Sequence, residues 1–235
     1  MIVKTVRTAL VLASLSFAAT ANAGVINLVS GQGTIGGTDS AVKMLVGPTS
    51  GDFPTTPSFD VSTYQSAFVA NPNPNSWVHP SSTPALGAAQ WDVTSVQSNG
   101  NPGTLGNTAI YAISIGPVGS VLSATLGGVY AVDNSINHIW VGNGSGTVTE
   151  ITPSGFVSGS FGAITTLSSI DITSYLSATG PNYLYIEGYN TDGPSGLVFN
   201  LSVNTSVPEP SSLAMVAIAG LSGLGFYARR KRSIA

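Results

Sequence analysis

The sequence predicts an all-β fold, an antiparallel β-sandwich, between two apolar ends. Residues 24–206 take most of their polar positions from Gly, Ser, Thr, Asn and Pro, which favour turns. The chain is nevertheless 43% hydrophobic, which is too apolar for a disordered segment. Short apolar and β-branched runs recur between the turn residues, as they do in sandwiches and barrels.

Eight segments carry the apolar or alternating pattern of a β-strand. In the clearest, Leu197, Phe199, Leu201 and Val203 fall on one face, and this period of two predicts a half-buried antiparallel strand. The segment 121–132 is either one long strand or a pair broken near its two central glycines. The predicted strands are residues 25–29, 41–46, 108–115, 121–132, 138–141, 147–151, 183–189 and 196–203.

Few segments have helical features. Asp60 is a candidate N-cap for a helix over residues 60–70, in which apolar residues recur at helical spacing. Asp171 begins a predicted single capped turn over residues 171–176. Residues 71–84 are rich in Pro and Asn and are predicted to be a long surface loop.

The N-terminus has the three-part pattern of a secretory signal peptide. Lys4 and Arg7 form a positive region, an apolar run follows, and small residues precede a cleavage point between Ala23 and Gly24. We therefore expect residues 1–23 to be removed on export. The alternative is an N-terminal membrane anchor, but the apolar run is short for a span of roughly 20 residues.

The C-terminus combines a proline motif, an uncharged span and a basic cluster. The span, residues 211–228, rises about 1.5 Å per residue as a helix and can just cross a hydrocarbon core of roughly 30 Å. The positive-inside rule keeps the basic cluster in the cytoplasm. The predicted domain, residues 24–206, then lies outside the cytoplasm, where the signal peptide also sends it. The motif is Val207, Pro208, Glu209 and Pro210, and the cluster is Arg229, Arg230, Lys231 and Arg232.

This tail, residues 207–235, resembles a PEP-CTERM sorting signal. Pro208, Glu209 and Pro210 match its motif, and the Arg-rich end matches its basic stop. The resemblance implies that a membrane protease, exosortase, recognises the motif and removes the tail, so that the C-terminal helix anchors the protein in the membrane only before processing. It also implies a Gram-negative host that makes exopolysaccharide, and a final location at the cell surface or outside the cell. A plain tail anchor and a GPI signal are the alternatives, although a GPI signal need not end in a basic cluster.

A second resemblance concerns the predicted domain. Residues 77–203 are similar to the galactose-binding-like jelly roll, a β-sandwich found beside glycoside hydrolase catalytic domains. That resemblance implies the fold and does not by itself imply sugar binding. It rests on the order of Asp133-Asn134, residues 139–144 (IWVGNG), Asp171-Ile172, residues 180–184 (GPNYL), Asn190 and Gly196-Leu197.

Charge and cysteine content exclude several kinds of partner and chemistry. Residues 24–206 contain nine acidic residues and one basic residue, Lys43, which gives a formal net charge of −8. Nucleic acid is excluded as a partner because phosphate contacts need Lys and Arg. The chain has no cysteine, which excludes disulfides, thiol catalysis and thiolate metal sites.

No catalytic or metal-binding pattern stands out. His79 and His138 are the only histidines and lie far apart in the sequence, whereas zinc needs three or four close ligands. We therefore expect no metal, no cofactor and no catalytic residue. Glycoside hydrolysis needs paired carboxylates, and we expect Glu150 and Glu187 to be solvated and Asp133 and Asp171 to serve local turns and caps. The candidates are Asp92, Asp133, Glu150, Asp171 and Glu187.

Aromatic residues supply the candidate glycan-binding site. Trp77 and His79 lie in the predicted loop and could offer an aromatic face to a sugar ring. Trp91 and Trp140 are expected to pack in the core instead. Together these features predict a non-enzymatic exported protein that exosortase sorts and that associates with exopolysaccharide or biofilm. The alternatives are a carbohydrate-binding module proper and, less favoured, a polysaccharide-modifying enzyme.

Overall fold

Strands form nearly all of the regular structure. The computed structural model describes residues 24–34, 36–48, 51–53, 57–70, 91–94, 108–153, 159–160, 162–191 and 195–207. This part of the chain holds eleven strands and two short 3-10 helices, Val61–Thr63 and Thr173–Tyr175, so the predicted all-β fold is confirmed. The strands are β1 (Gly24–Val29), β2 (Thr38–Val46), β3 (Gln65–Ala70), β4 (Trp91–Thr94), β5 (Ala109–Ser114), β6 (Ser123–Asp133), β7 (Ser135–Gly142), β8 (Val148–Glu150), β9 (Thr165–Asp171), β10 (Tyr183–Tyr189) and β11 (Ser195–Ser206).

All strand pairings in the described part are antiparallel, and they form two sheets. The first has the order β8-β7-β10-β5-β2, and β3 and β4 continue from it to β11 of the second. In the second sheet β11 pairs with β6 along its length, β9 lies outside β6, and β1 pairs with β11. This two-sheet arrangement is consistent with the jelly-roll resemblance.

The main core lies between the two sheets. Within Gly24–Ser206, which is a compact unit, alternate residues of each strand point into it. Leu184 and Ile186 of β10 enter from the first sheet, and Phe199 and Leu201 of β11 enter from the second. All four are at most 1% exposed, so the predicted alternation along β11 is confirmed. Each such side chain stabilises the fold by about 1.5–3 kcal/mol relative to exposure.

The long segment around Gly127 and Gly128 forms one strand. β6 runs through both glycines, and its register against β9 shifts between Leu126 and Gly128. Gly128 has φ 142°, a conformation that other residues rarely adopt. Two residues of β9 stand opposite Gly127 at this shift, so the irregularity is a β-bulge whose extra residue lies on β9, while β6 continues as one strand.

The predicted helix over residues 60–70 is wrong. Asp60 does act as a cap, since it accepts a hydrogen bond from the Ser62 N–H at 2.9 Å, but the helical turn ends at Thr63. The chain then continues as β3, which pairs with both β2 and β4. Ala67 and Val69 are buried at alternate positions, so sheet pairing overrides the helical spacing. The single turn predicted after Asp171 is confirmed, because its carboxylate accepts from the Thr173 N–H.

Three strands, β3, β4 and β9, were not predicted from the sequence. β9 is mostly polar and exposed at the edge of its sheet, with Leu167 as its one buried residue, so it lacks an apolar pattern. The signal peptide over residues 1–23, the loop over residues 71–84 and the span over residues 211–228 lie outside the described residues. Among the residues that are described, no helix is both long and apolar enough to cross a membrane.

Candidate functional site

A second apolar cluster lies on the face of the first sheet that is turned away from the main core. It forms because strand alternation sends Tyr185 of β10 and Trp140 of β7 to that face. Residues 57–64 cover them, with the Phe59 ring edge-on to both aromatic rings at 5.0 and 5.2 Å. The Tyr185 hydroxyl donates to the Phe59 carbonyl at 2.9 Å, which fixes the covering segment. The expectation that Trp140 packs in a core is confirmed.

Beside this cluster is a cavity of about 260 Å³. Residues from four parts of the chain line it: the segment after β2, strand β7, the end of β8, and β10. Three of the lining residues are carboxylic acids and one is a histidine. Lys43, the one Lys or Arg among residues 24–206, does not line the cavity. The lining residues are Asp52, Phe53, Pro57, Phe59, His138, Trp140, Glu150 and Glu187.

His138 is held in place from two sides. Its Nδ1 is 2.7 Å from Glu150 Oε1, and its ring stacks on Trp140 with centroids 5.2 Å apart. Antiparallel pairing supplies this contact, since β7 and β8 are neighbours and Trp140 lies opposite Glu150. The hydrogen bond from His138 lowers the pKa of the Glu150 carboxyl. Glu150 is about half exposed at 49%, as the sequence predicted, and the pair is therefore screened by water.

Asp52 reaches the same cavity from the segment after β2. Its Oδ1 accepts the Phe53 N–H at 2.8 Å, and its Oδ2 accepts the Asn137 side-chain amide at 2.8 Å. A hydrogen bond with the Glu187 side chain is the main reason that the pKa of Asp52 is lowered. Asp52 is therefore the ionised partner of this carboxyl pair.

Glu187 is the buried partner. It points outward from β10 like Tyr185, yet it is only 2% exposed, so the expectation that Glu187 is solvated is wrong. Burial raises its pKa to about 8, and its hydrogen bond with Asp52 and the charge of Asp52 act in the same direction. Its Oε1 has no hydrogen-bond partner. A buried carboxyl oxygen without a partner is costly, by about 1–3 kcal/mol, and such atoms are uncommon.

Three of these side chains could act together as ligands. Asp52, His138 and Glu187 each offer one nitrogen or oxygen atom, and the three atoms lie within 4.8 Å of one another. Sequence reasoning considered His138, Glu150 and Glu187 separately and did not consider Asp52. No local pattern links these residues, because sheet pairing and the covering segment bring them together.

The glycan-binding residues predicted from the sequence, Trp77 and His79, lie outside the described residues. The same holds for the side chains of Trp91 and Asp92. Asp171 is not among the residues that line the cavity; it ends β9, where its Oδ1 accepts hydrogen bonds from the Thr173 N–H and hydroxyl. Among the four candidate carboxylates whose side chains are described, the two glutamates line the cavity together, and Asp52 joins them.

Similarity to known proteins is confined to the C-terminus. A family model described as the PEP-CTERM protein-sorting motif matches residues 206–232. The chain carries a PEP-CTERM sorting signal. The matched range contains the predicted motif, residues 207–210, and the basic cluster, residues 229–232. No curated protein and no solved structure matches the chain.

The PEP-CTERM signal determines how the protein is handled. It marks an exported cell-surface protein that exosortase processes. The signal covers only the tail and carries no information about the chemistry of Gly24–Ser206.

Proposed function

We propose that this exosortase-sorted protein is a non-enzymatic component of the extracellular matrix that associates with its host's exopolysaccharide or biofilm. The single observation that carries the proposal is the PEP-CTERM signal at residues 206–232. The acidic, cysteine-free composition of residues 24–206 adds support, because such a domain suits neither nucleic acid nor thiol chemistry. In this proposal the host is a Gram-negative bacterium and residues 1–23 are the export signal.

Processing of the tail tests the sorting part of the proposal. The mature protein from wild-type cells is compared by intact mass with the protein from cells that lack exosortase. We expect loss of the tail only when exosortase is present, and retention of it in a variant in which Glu209 is replaced by Ala. Glu150→Ala, which changes an acid far from the motif in sequence, is the matched control and should be processed normally. An unchanged tail in both strains contradicts the sorting proposal.

A carbohydrate-binding module proper is the second candidate, and the cavity is the observation that favours it. Phe53, Phe59 and Trp140 provide apolar surface next to three carboxylic acids, a combination suited to a sugar ring with its C–H faces and hydroxyls. Trp77 and His79 remain candidate contacts on the sequence argument.

Binding to the host's own polysaccharide tests this candidate. Retention of the protein on immobilised polysaccharide should weaken in Glu150→Gln if the cavity is the site, and in Trp77→Ala if the predicted loop is the site. Thr149→Ser, a neighbouring change on β8, serves as the control. Wild-type protein that shows no retention contradicts polysaccharide binding and leaves the sorting proposal unaffected.

The non-enzymatic part of the proposal rests on carboxylate spacing. Retaining glycosidases separate their two carboxyl groups by about 5–5.5 Å, and inverting enzymes separate them further. Asp52 and Glu187 instead share a hydrogen bond, which brings their carboxyl groups closer together than either class of glycosidase requires. Release of new reducing ends from the host polysaccharide by wild-type protein, but not by Glu187→Gln, would favour the enzyme alternative.

A further inference from the structure

We propose that Asp52, His138 and Glu187 form a binding site for a divalent first-row transition-metal cation, with zinc as its best-fitting occupant. The inference does not depend on the proposed association with polysaccharide. Two independent observations carry it. The three ligand atoms converge within 4.8 Å, and the 2%-exposed Glu187 has a carboxyl oxygen without a partner.

The cavity carries an excess of acidic groups. Three carboxylic acids line one cavity, and Lys43, the single base among residues 24–206, is not among the residues that line it. His138 is the one lining group that can carry a positive charge, and it is already hydrogen-bonded to Glu150. Buried carboxylates are normally paired or coordinate a metal. A divalent cation would neutralise Asp52 and Glu187 together.

The position of Glu150 supports the same conclusion. A histidine that binds a metal usually has its other ring nitrogen hydrogen-bonded to a carboxylate, which fixes the ring and raises its basicity. Glu150 Oε1 binds His138 Nδ1 at 2.7 Å, which leaves Nε2 for a metal. Stacking on Trp140 restrains the ring plane as well. Glu150 is therefore the positioning residue of the site.

The ligand set selects the kind of cation. One imidazole with two carboxylates suits zinc or manganese, whereas calcium and magnesium take oxygen ligands. Zinc holds nitrogen and oxygen ligands at about 2.0–2.2 Å, which places tetrahedral ligand atoms roughly 3.4 Å apart. Ligand atoms that are up to 4.8 Å apart would therefore have to approach one another by up to about 1.4 Å. Asp52 is the exposed ligand of the three, so its side chain has room for such a movement.

Zinc titration of the full-length protein tests the site. The protein is prepared without a histidine tag, treated with a chelator, and titrated calorimetrically with Zn²⁺ alone. We expect one strong site per chain. Affinity should fall about 100-fold or more in Glu187→Gln and His138→Gln, and about tenfold in the positioning variant Glu150→Gln. Binding of Co²⁺ followed by its visible absorption gives a second readout that reports directly on the coordinating groups.

Matched controls keep the result interpretable. His79→Gln removes the other histidine, and Asp171→Asn removes a carboxylate at a cap outside the cavity, so both should bind zinc like wild type. Tryptophan fluorescence establishes that each variant is folded, and Asp52→Asn replaces Glu187→Gln if the latter does not fold. Folded wild-type protein that binds no zinc, or zinc binding that survives Glu187→Gln and Asp52→Asn, overturns the proposal. Binding of Ca²⁺ in place of Zn²⁺ overturns it also.

Discussion

Asp39 is expected to be one of the most sensitive positions for stability in this cysteine-free domain. It is 3% exposed and ties the turn between β1 and β2 through four backbone N–H groups. Its Oδ2 accepts from Gly31 at 2.7 Å and Gln32 at 2.9 Å, and its Oδ1 accepts from Ala41 at 2.7 Å and Val42 at 3.2 Å. Each of its two oxygens thus accepts two hydrogen bonds, and no neutral side chain can accept the same four bonds.

Replacing Asp39 by Asn separates this role from side-chain size. The amide keeps one acceptor oxygen and places an NH₂ donor where the other oxygen was, so two backbone N–H groups lose their acceptor and face a donor instead. A hydrogen bond to a charged group contributes about 1.5–3 kcal/mol, and an orphaned buried donor costs about 1–3 kcal/mol. Allowing for local relaxation and water, we expect a loss of about 3–5 kcal/mol in the free energy of unfolding, a large part of the usual 5–15 kcal/mol.

Urea unfolding of the full-length protein, followed by tryptophan fluorescence, measures this loss. The midpoint should fall while the slope stays unchanged, because the surface exposed on unfolding is the same. Asp171→Asn is the control. Its carboxylate is exposed and accepts the Thr173 N–H, a bond that the side-chain oxygen of Asn can also accept, so we expect a change below about 0.5 kcal/mol. A loss of less than about 1 kcal/mol in Asp39→Asn would refute the view that the four bonds act together.

Two further substitutions test the site and the bulge. In chelator-treated protein, the pKa of Glu187 is about 8 in the folded state, whereas in the unfolded chain it is near 4.5. Between these two pH values the folded state holds a proton that the unfolded chain has lost. The free energy of unfolding should therefore fall as the pH rises from 4.5 to 8, by at most about 5 kcal/mol. Glu187→Gln cannot ionise and should show a flatter dependence of unfolding temperature on pH between 5 and 9; equal slopes would contradict the buried carboxyl. Gly128→Ala should cost about 3 kcal/mol, because φ is 142° and the added Cβ would meet Leu201 Cα at 2.7 Å and the Asn200 carbonyl. At Gly127 the nearest atom is 3.5 Å away, so Gly127→Ala should stay within about 1 kcal/mol of wild type, and equal losses at both positions would show that the clash is not the cause.

The local sequence pattern was sufficient to predict a strand where the surroundings of that strand are simple. β10 was predicted with its observed bounds and β11 nearly so, because each has a continuous apolar or alternating signal and long partners on both sides. The tail was recognisable for a similar reason, since its motif, span and basic end are contiguous in the sequence. β9 gave no such signal, because an exposed edge strand does not need an apolar face.

Where the local sequence pattern gave a wrong prediction, tertiary contacts determine the structure. Asp60 caps a helical turn as predicted, but Ala67 and Val69 find buried places in a sheet and the turn does not continue. Glu187 lies on the outward face of β10, which in most sandwiches is solvated. Here residues 57–64 cover that face, and Glu187 is buried beside Asp52. No sequence pattern indicates that residues 57–64 cover this face, so the burial of Glu187 beside Asp52 could not be predicted.

The hydrogen bonds that other carboxylates accept show how the cavity differs from the rest of the domain. Asp39, Asp60 and Asp171 each accept backbone N–H hydrogen bonds from residues close in sequence, which explains how an acidic domain with one lysine tolerates them. Such acids serve turns and need no external partner. Glu187 is held mid-strand, its own neighbours supply no donor to Oε1, and its nearest charged group is another carboxylate. A proton or a cation from outside the chain would neutralise that carboxylate pair. The zinc titration and the pH series with Glu187→Gln separate these two, since a site used only by a proton would show the pH slope without any zinc affinity.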